Sequence, residues 1–296
     1  MIPTSTHPPL HTQALAPVPG PTPVRPDLRP AVACPAVGIL EGKRILVTGV
    51  LTDDSLAFAA ARTALEEGAE IVLSGFGRGL SLTRRTARRL PGQPDVLEID
   101  VTNLEQLAAA AAHLSDRWGR LDGLVHAIGF APANCLGSGM FAADWDDVAV
   151  ALEVSAYSLK SLVGAFLPLL EVSGADGGAS VVALDFDSTL AWPTYDWMGV
   201  AKSALESLAR YLAYELGPKK IRVNLVAAGP VRTVAARSIP GFSTLNGAWS
   251  ARAPLGWDVG DATPVAKACV ALLSDWLPMT TGEMIHVDGG AHAVGA

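Results

Sequence analysis

The sequence predicts an α/β protein built on a single doubly wound parallel sheet, and three features carry that expectation. From Gly42 onward, short apolar runs alternate with amphipathic helical patterns. Apolar runs separated by helices mean parallel strands joined by crossovers, with both sheet faces covered. The first run, RILVTGV (44–50), ends in a glycine-containing turn that leads into a helix. No second Pro-rich break follows, so residues 38–296 are expected to fold as one domain.

In chain order, the first segment is the exception. Residues 1–38 hold ten of the chain's 21 prolines, and each proline fixes φ and removes a backbone donor. Residues 1–37 are therefore expected to be a disordered leader, a start site placed too far upstream being the alternative. The segment lacks the apolar core of a secretory signal and the Arg-rich pattern of a transit peptide. RILVTGV then reads as a buried strand and LAFAAARTALEEGA (56–69) as a helix ending at Gly68. EIVLSGF (70–76) is a second strand, and SLTRRTARRL (81–90) a helix whose Arg84, Arg85, Arg88 and Arg89 form a solvated face. DVLEIDV (95–101) is a third strand, followed by a helix over 104–118 and by LDGLVHAIG (121–129). SVVALDF (180–186), IRVNLVAAG (221–229) and EMIHVDGG (283–290) complete the set.

Composition narrows the function. Half of the 296 residues are hydrophobic, enough for a sizeable core. A net charge of −7 gives no basic surface for nucleic acid or an anionic membrane, so a diffusible metabolite is the expected partner. Cys34, Cys135 and Cys269 lack metal or redox spacing and read as reduced thiols of a cytoplasmic protein. The longest apolar segments read as too interrupted by Gly, Pro or charge to span a membrane. His126 and His286 lie within apolar strands and read as satisfied core groups, with no metal set around them.

In a doubly wound sheet, ligands bind beyond the carboxyl ends of the strands. There Gly49 permits a tight turn against a phosphate, and Ser55 caps the following helix and can donate its hydroxyl to that phosphate. Asp100 can accept from an adenine amine, with Val101 covering the ring. Ile128 and Gly129, in AIG (127–129), admit a cofactor backbone. AAGPVRT (227–233), with Gly229, Val231 and Thr233, is a turn whose amides can meet a carboxamide. Four such strand ends point to a dinucleotide.

GKRILVTGV, DDSLAFAAA, LVHAIGF, YDWMGVAKSALES, VNLVAAGPVRT and ALLSDWLPMTTGEMIHVDGGAH resemble the enoyl-acyl-carrier-protein reductases of bacterial type II fatty acid synthesis. Their NADH-dependent mycobacterial and actinobacterial form is the most similar. The resemblance covers about 255 residues from Gly38 and implies a Rossmann-type domain of the short-chain dehydrogenase superfamily. In that superfamily generally, a tyrosine lies four residues before the lysine and a serine thirteen before the tyrosine. Here those positions hold Met198 and Asp185, so a carbonyl reducer's oxygens are missing. Tyr195 instead lies seven residues before Lys202. On a helix of about 3.6 residues per turn it returns to within about 20° of the same face, displaced by about 4.5 Å relative to the usual position. That offset suits conjugate reduction of a 2-enoyl thioester, in which hydride goes to C3 while charge develops on the thioester oxygen.

The resemblance further implies that Tyr195 stabilises the enolate, Lys202 holds the nicotinamide ribose, Phe186 lies over the hydride path and Met198 forms an apolar wall. It adds Leu56 to the phosphate turn and Phe76 beside adenine. It places a substrate lid at about 234–253, with Val234, Ile239, Phe242, Leu245 and Trp249 along an acyl channel, broken by Pro240 and Gly241. It also implies a homotetramer acting on enoyl-acyl carrier protein or enoyl-CoA. Ala127 departs from a family serine. Gly77 and Arg78 stand where an acidic residue could guard the ribose, so NADH is expected and NADPH stays open. The alternatives are another short-chain reductase acting on an enone or imine, and a noncatalytic NAD-binding redox sensor.

Overall fold

A computed structural model describes residues 37–175, 177–237, 239–242, 247, 249 and 251–295; the expected leader, with Cys34, lies outside them. The described chain forms a seven-stranded sheet in the order β3-β2-β1-β4-β5-β6-β7. Its strands are β1 (Arg44–Val47), β2 (Glu70–Gly75), β3 (Val96–Glu98), β4 (Gly123–His126), β5 (Ala179–Asp185), β6 (Ile221–Ala228) and β7 (Met284–Val287). Every pairing is parallel. The order reverses between β1 and β4, which opens a crevice at their carboxyl ends.

Helices α1 (Leu56–Glu66), α2 (Leu80–Ala87), α3 (Leu104–Trp118), α4 (Trp145–Leu152), α5 (Ser158–Ala175), α6 (Asp196–Leu216), α7 (Val234–Arg237) and α8 (Thr263–Leu273) connect the strands. On one face, Leu107 and Leu114 of α3, Leu162 and Phe166 of α5 and Leu205 of α6 pack on the sheet. On the other, Ala57 and Ala61 of α1 and Val265 and Cys269 of α8 do the same. Each fully buried Leu or Phe contributes about 1.5–3 kcal/mol relative to exposure. Capping fixes the helix starts. Ser55 accepts from the Phe58 amide, and Asn103 accepts from the Glu105 and Gln106 amides.

Several boundaries differ from the sequence expectation. The third strand stops at Glu98, so Asp100 and Val101 lie beyond it, because β3 pairs only with the last residues of β2. Helix α6 begins at Asp196, which makes Tyr195 its N-cap residue.

The expectation that no helix could span a membrane is corrected too. Trp145–Gly174, in which a π-turn (Glu153–Tyr157) joins α4 to α5, is long and apolar enough by length and composition, with a mean hydropathy of 1.4. Its apolar character has a partner inside the protein. Leu159, Leu162, Val163, Phe166 and Leu170 are buried against the sheet.

Candidate active site

The β1–α1 turn is built around Gly49. Its φ is +80°, and a Cβ there would lie 2.0 Å from the Ala127 carbonyl oxygen, so the turn closes on the end of β4 only with glycine. Ser55 departs from expectation: its hydroxyl donates to the Thr52 carbonyl at 2.7 Å and accepts from the Phe58 amide at 3.1 Å. The donor hydrogen expected for a phosphate is committed to the Thr52 carbonyl. The amides of Leu56 and Ala57 have no partner among the described residues. These two N–H groups, at the positive end of the α1 dipole, are the donors suited to an anion.

Phe76, just past β2, is 52% exposed, and Arg78 beside it forms no ion pair among the described residues. Arg84, Arg85, Arg88 and Arg89 are exposed as expected, and Arg89 pairs with Asp53. Asp100 turns Oδ1 to the Thr102 amide and hydroxyl at 2.9 and 2.7 Å, which leaves Oδ2 for a ligand. Val101 is buried and belongs to the same core cluster as Leu107. Ile128 and Gly129 follow β4, where the Ser155 hydroxyl of the π-turn clasps Phe130 through its amide (2.9 Å) and carbonyl (2.8 Å). A Cβ on Gly129 would meet nothing nearer than 4.0 Å, so protein packing leaves that space open.

The turn after β6 has fewer amides to offer than the sequence suggests. Gly229 donates to Val287, Arg232 to Val259 and Thr233 to Val231. Pro230 has no N–H, so Val231 supplies the one amide without a partner among the described residues. The Thr233 hydroxyl accepts from the Ala236 amide and starts α7. A Cβ on Gly229 would meet the indoles of Trp257 at 2.8 Å and Trp249 at 3.0 Å, so glycine here lets both indoles pack on the turn.

Tyr195, Phe186, Trp192 and Trp249 form an aromatic cluster. The Phe186 ring lies 5.0 Å from Tyr195, 5.2 Å from Trp192 and 5.7 Å from Trp249. Met198 is buried beside them on α6, and Ile239 and Phe242 are half-buried in the lid. Leu245 lies outside the described residues. The Tyr195 hydroxyl has no hydrogen bond among the described residues, and burial, with the nearby Asp185 charge, pushes its pKa up. It is therefore a phenol with a hydrogen to donate at neutral pH.

Lys202 is buried, and its Nζ donates to the Leu184 carbonyl at 2.9 Å and lies 3.6 Å from Asp185 Oδ1. Burial, opposed by the Lys202 charge, pushes the Asp185 carboxyl up to about 6. His126 is not the satisfied core group expected. Its Nε2 lies 2.8 Å from Ser158 Oγ, whose own hydrogen goes to the Val154 carbonyl, so Nε2 is the donor and Nδ1 has no partner among the described residues. Burial first, and then Lys202, lower its pKa to about 3. His286 is half-buried, stacked 3.9 Å from His292 and 3.3 Å from Asp187 Oδ2.

The residues present fit a dinucleotide. Two free helix-start amides, the open space at Gly129, a free turn amide at Val231 and the Lys202 ammonium all face the carboxyl ends of β1, β4, β5 and β6. Ser155 has no sequence pattern that could have revealed it, and the count that placed Asp185 at the superfamily's serine position gave it no role.

A family profile described as Enoyl-(Acyl carrier protein) reductase matches residues 49–292. The chain is similar to the enoyl-acyl-carrier-protein reductase (NADH) of Mycolicibacterium smegmatis, 49% identical over 268 residues, with 86% of this chain and 97% of the relative covered. It is likewise similar to that of Mycobacterium avium, 46% identical over 267 residues, with 86% and 97% covered. The FabI reductase (NADH) of Aquifex aeolicus is 36% identical over 259 residues, with 88% and 94% covered. The chain belongs to the enoyl-(acyl carrier protein) reductase family.

Proposed function

We propose that this chain reduces the 2,3-trans double bond of enoyl thioesters carried on acyl carrier protein, with NADH as reductant, in fatty acid synthesis. The observation that carries the proposal is the Tyr195 hydroxyl, without a hydrogen bond among the described residues and beside Phe186, together with the buried ammonium of Lys202 seven residues along the chain. NADH, when bound, supplies the hydride that adds to C3 of the substrate.

Leu56 and Ala57 would hold its phosphates through their amides, Asp100 and Phe76 would meet the adenine, and Val231 would meet the carboxamide. Lys202 would hold the ribose hydroxyls. The Mycolicibacterium smegmatis and Mycobacterium avium relatives carry NADH in their names, and the surroundings of Phe76 leave NADPH to be tested directly through Arg78.

Charge develops on the thioester oxygen as the double bond is reduced. Tyr195 hydrogen-bonds that oxygen and stabilises the enolate, which takes a proton at C2 from water to complete the reduction. Met198, where a carbonyl reducer has its tyrosine, offers no hydroxyl, so a ketone has no proton donor beside its carbon. Phe186, Trp249 and Ile239 wall the apolar side and exclude water. Cys135 and Cys269 are buried thiols, in keeping with a reducing cytoplasm.

Tyr195→Phe should lower kcat by about 10²–10³, the effect of losing one oxyanion donor, while NADH affinity stays within a factor of about two. Unchanged turnover of a 2-enoyl thioester would remove Tyr195 from the chemistry. Turnover of enones or imines but not thioesters would favour another reductase. NADH binding without turnover of any enoyl substrate would favour a sensor.

A further inference from the structure

Asp185 ends β5 with both carboxylate oxygens shielded from solvent and, among the described residues, without a hydrogen-bond partner. The rest of the strand, Ala179–Leu184, is buried and carries no charge. A buried carboxylate is costly unless it faces a counter-charge, and here its Oδ1 lies 3.6 Å from Lys202 Nζ.

The groups around the ammonium come from three elements. Leu184 of β5 supplies one carbonyl at 2.9 Å. His126 of β4 is a neutral imidazole whose Nε2–H goes to Ser158. Tyr195, at the head of α6, is a neutral phenol. Glu206, one turn further along α6, turns Oε1 to the Ser188 amide at 3.0 Å and to the Ser188 hydroxyl. Asp185 is thus the one carboxylate within 4.0 Å of Lys202 Nζ among the described residues.

We propose that Asp185 is a positioning residue for Lys202: its carboxylate keeps the buried ammonium charged and holds it at the ribose site. This rests on the role given to Lys202 above. Burial disfavours a charged amine, and an adjacent carboxylate restores it. With one hydrogen on Leu184 and one drawn toward Asp185, a third remains for the sugar hydroxyls. The Asp185 carboxyl, raised to about 6, is ionised at neutral pH, where this pairing is needed.

The test measures NADH affinity by fluorescence of the bound nucleotide between about pH 6.5 and about pH 9. The wild type should bind with nearly constant affinity across that range. Asp185→Asn should bind within about threefold of wild type at the acid end and weaken by about tenfold or more at the alkaline end, one pKa unit being a factor of ten. Adding Lys202→Arg to Asp185→Asn should flatten the profile, because a guanidinium keeps its proton throughout.

A loss in Asp185→Asn that is equal at every pH, or no loss at all, would overturn the proposal. If Asp185→Asn melts below the assay temperature, Asp185→Ser is measured with the same expectations. Lys202→Ala separates the two assignments. Normal NADH binding there overturns the role of Lys202 itself. Lost binding there, with a flat Asp185→Asn profile, overturns only that of Asp185.

Discussion

Tyr195 is held by its neighbours instead of by its own hydroxyl. Thr194 and Asp196 flank it with φ of 67° and 40°, a left-handed backbone that costs non-glycine residues about 1–3 kcal/mol each. Each is anchored from elsewhere. Thr194 donates its hydroxyl to the Pro240 carbonyl of the lid at 2.8 Å, and Asp196 accepts from the Gly139 amide at 2.9 Å. Asp196→Ala should therefore leave NADH affinity unchanged while lowering kcat by about tenfold, the scale of about 1.4 kcal/mol in transition-state positioning. A kcat equal to wild type would show that the strained backbone holds without this anchor.

His126 makes a second residue-scale prediction. Its pKa is depressed to about 3 in the folded protein, so the fold binds fewer protons than the unfolded chain below the ordinary histidine range. Its contribution is fully present above about pH 6.5 and is lost as pH falls, by about 1.4 kcal/mol per unit. Urea midpoints between pH 7 and 4.5 should drop more steeply for wild type than for His126→Gln, and parallel slopes would assign acid lability elsewhere.

Tyr195 and Lys202 are legible in the sequence because their spacing has chemical meaning along one stretch of chain. Asp185 is not, since only the fold brings its Oδ1 to 3.6 Å from Lys202. Ser55 is half-legible: its cap is readable, but its commitment to the Thr52 carbonyl is a matter of turn geometry.

At the scale of elements, strand cores are readable and strand ends are not. The apolar runs at 44–47, 123–126 and 221–228 announce buried parallel strands. Their ends depend on the neighbouring strand, and β3 is short because only Leu73, Ser74 and Gly75 of β2 pair with it. The helices at 145–175 escape notice because Gly164 and Pro168 interrupt the expected pattern and the π-turn shifts its phase.

That π-turn shapes the end of β4, because its Ser155 fixes the backbone following Gly129. The β1–α1 turn is equally constrained. Gly49→Ala would force a Cβ onto the Ala127 carbonyl at 2.0 Å and into a left-handed φ. The cost should be about 2 kcal/mol or more. Thermal melting should show that loss together with weakened NADH binding; an unchanged Tm would mean that the β4 end yields easily. Arg237 of α7 also pairs with Asp54 of this turn at 2.7 Å, which ties the segment after β6 to the β1–α1 turn.

At the scale of the molecule, the described chain leaves apolar surface on one side of α6. Val200, Tyr211 and Tyr214 share one helix face, and the two tyrosines are 72% and 85% exposed. Tyr157 of the π-turn and Val172 of α5 are also exposed. At the sheet's end, β7 pairs only with β6 and its outer side has no strand partner among the described residues. Exposed aromatic stripes and free strand edges are features that association covers.

The expected assembly, drawn from family resemblance, is a homotetramer, and these surfaces are where its contacts should fall. Light scattering at micromolar concentration should give four protomers. Tyr211→Glu with Tyr214→Glu places two charges on the stripe and should split the assembly. The split species should keep NADH affinity, since the residues proposed to hold the nucleotide all belong to one chain. A chain starting at residue 38 should assemble and turn over like the full length, because a Pro-rich leader buries little. A tetramer that survives both glutamates would move the interface away from α6, and a monomeric wild type would remove the assembly altogether.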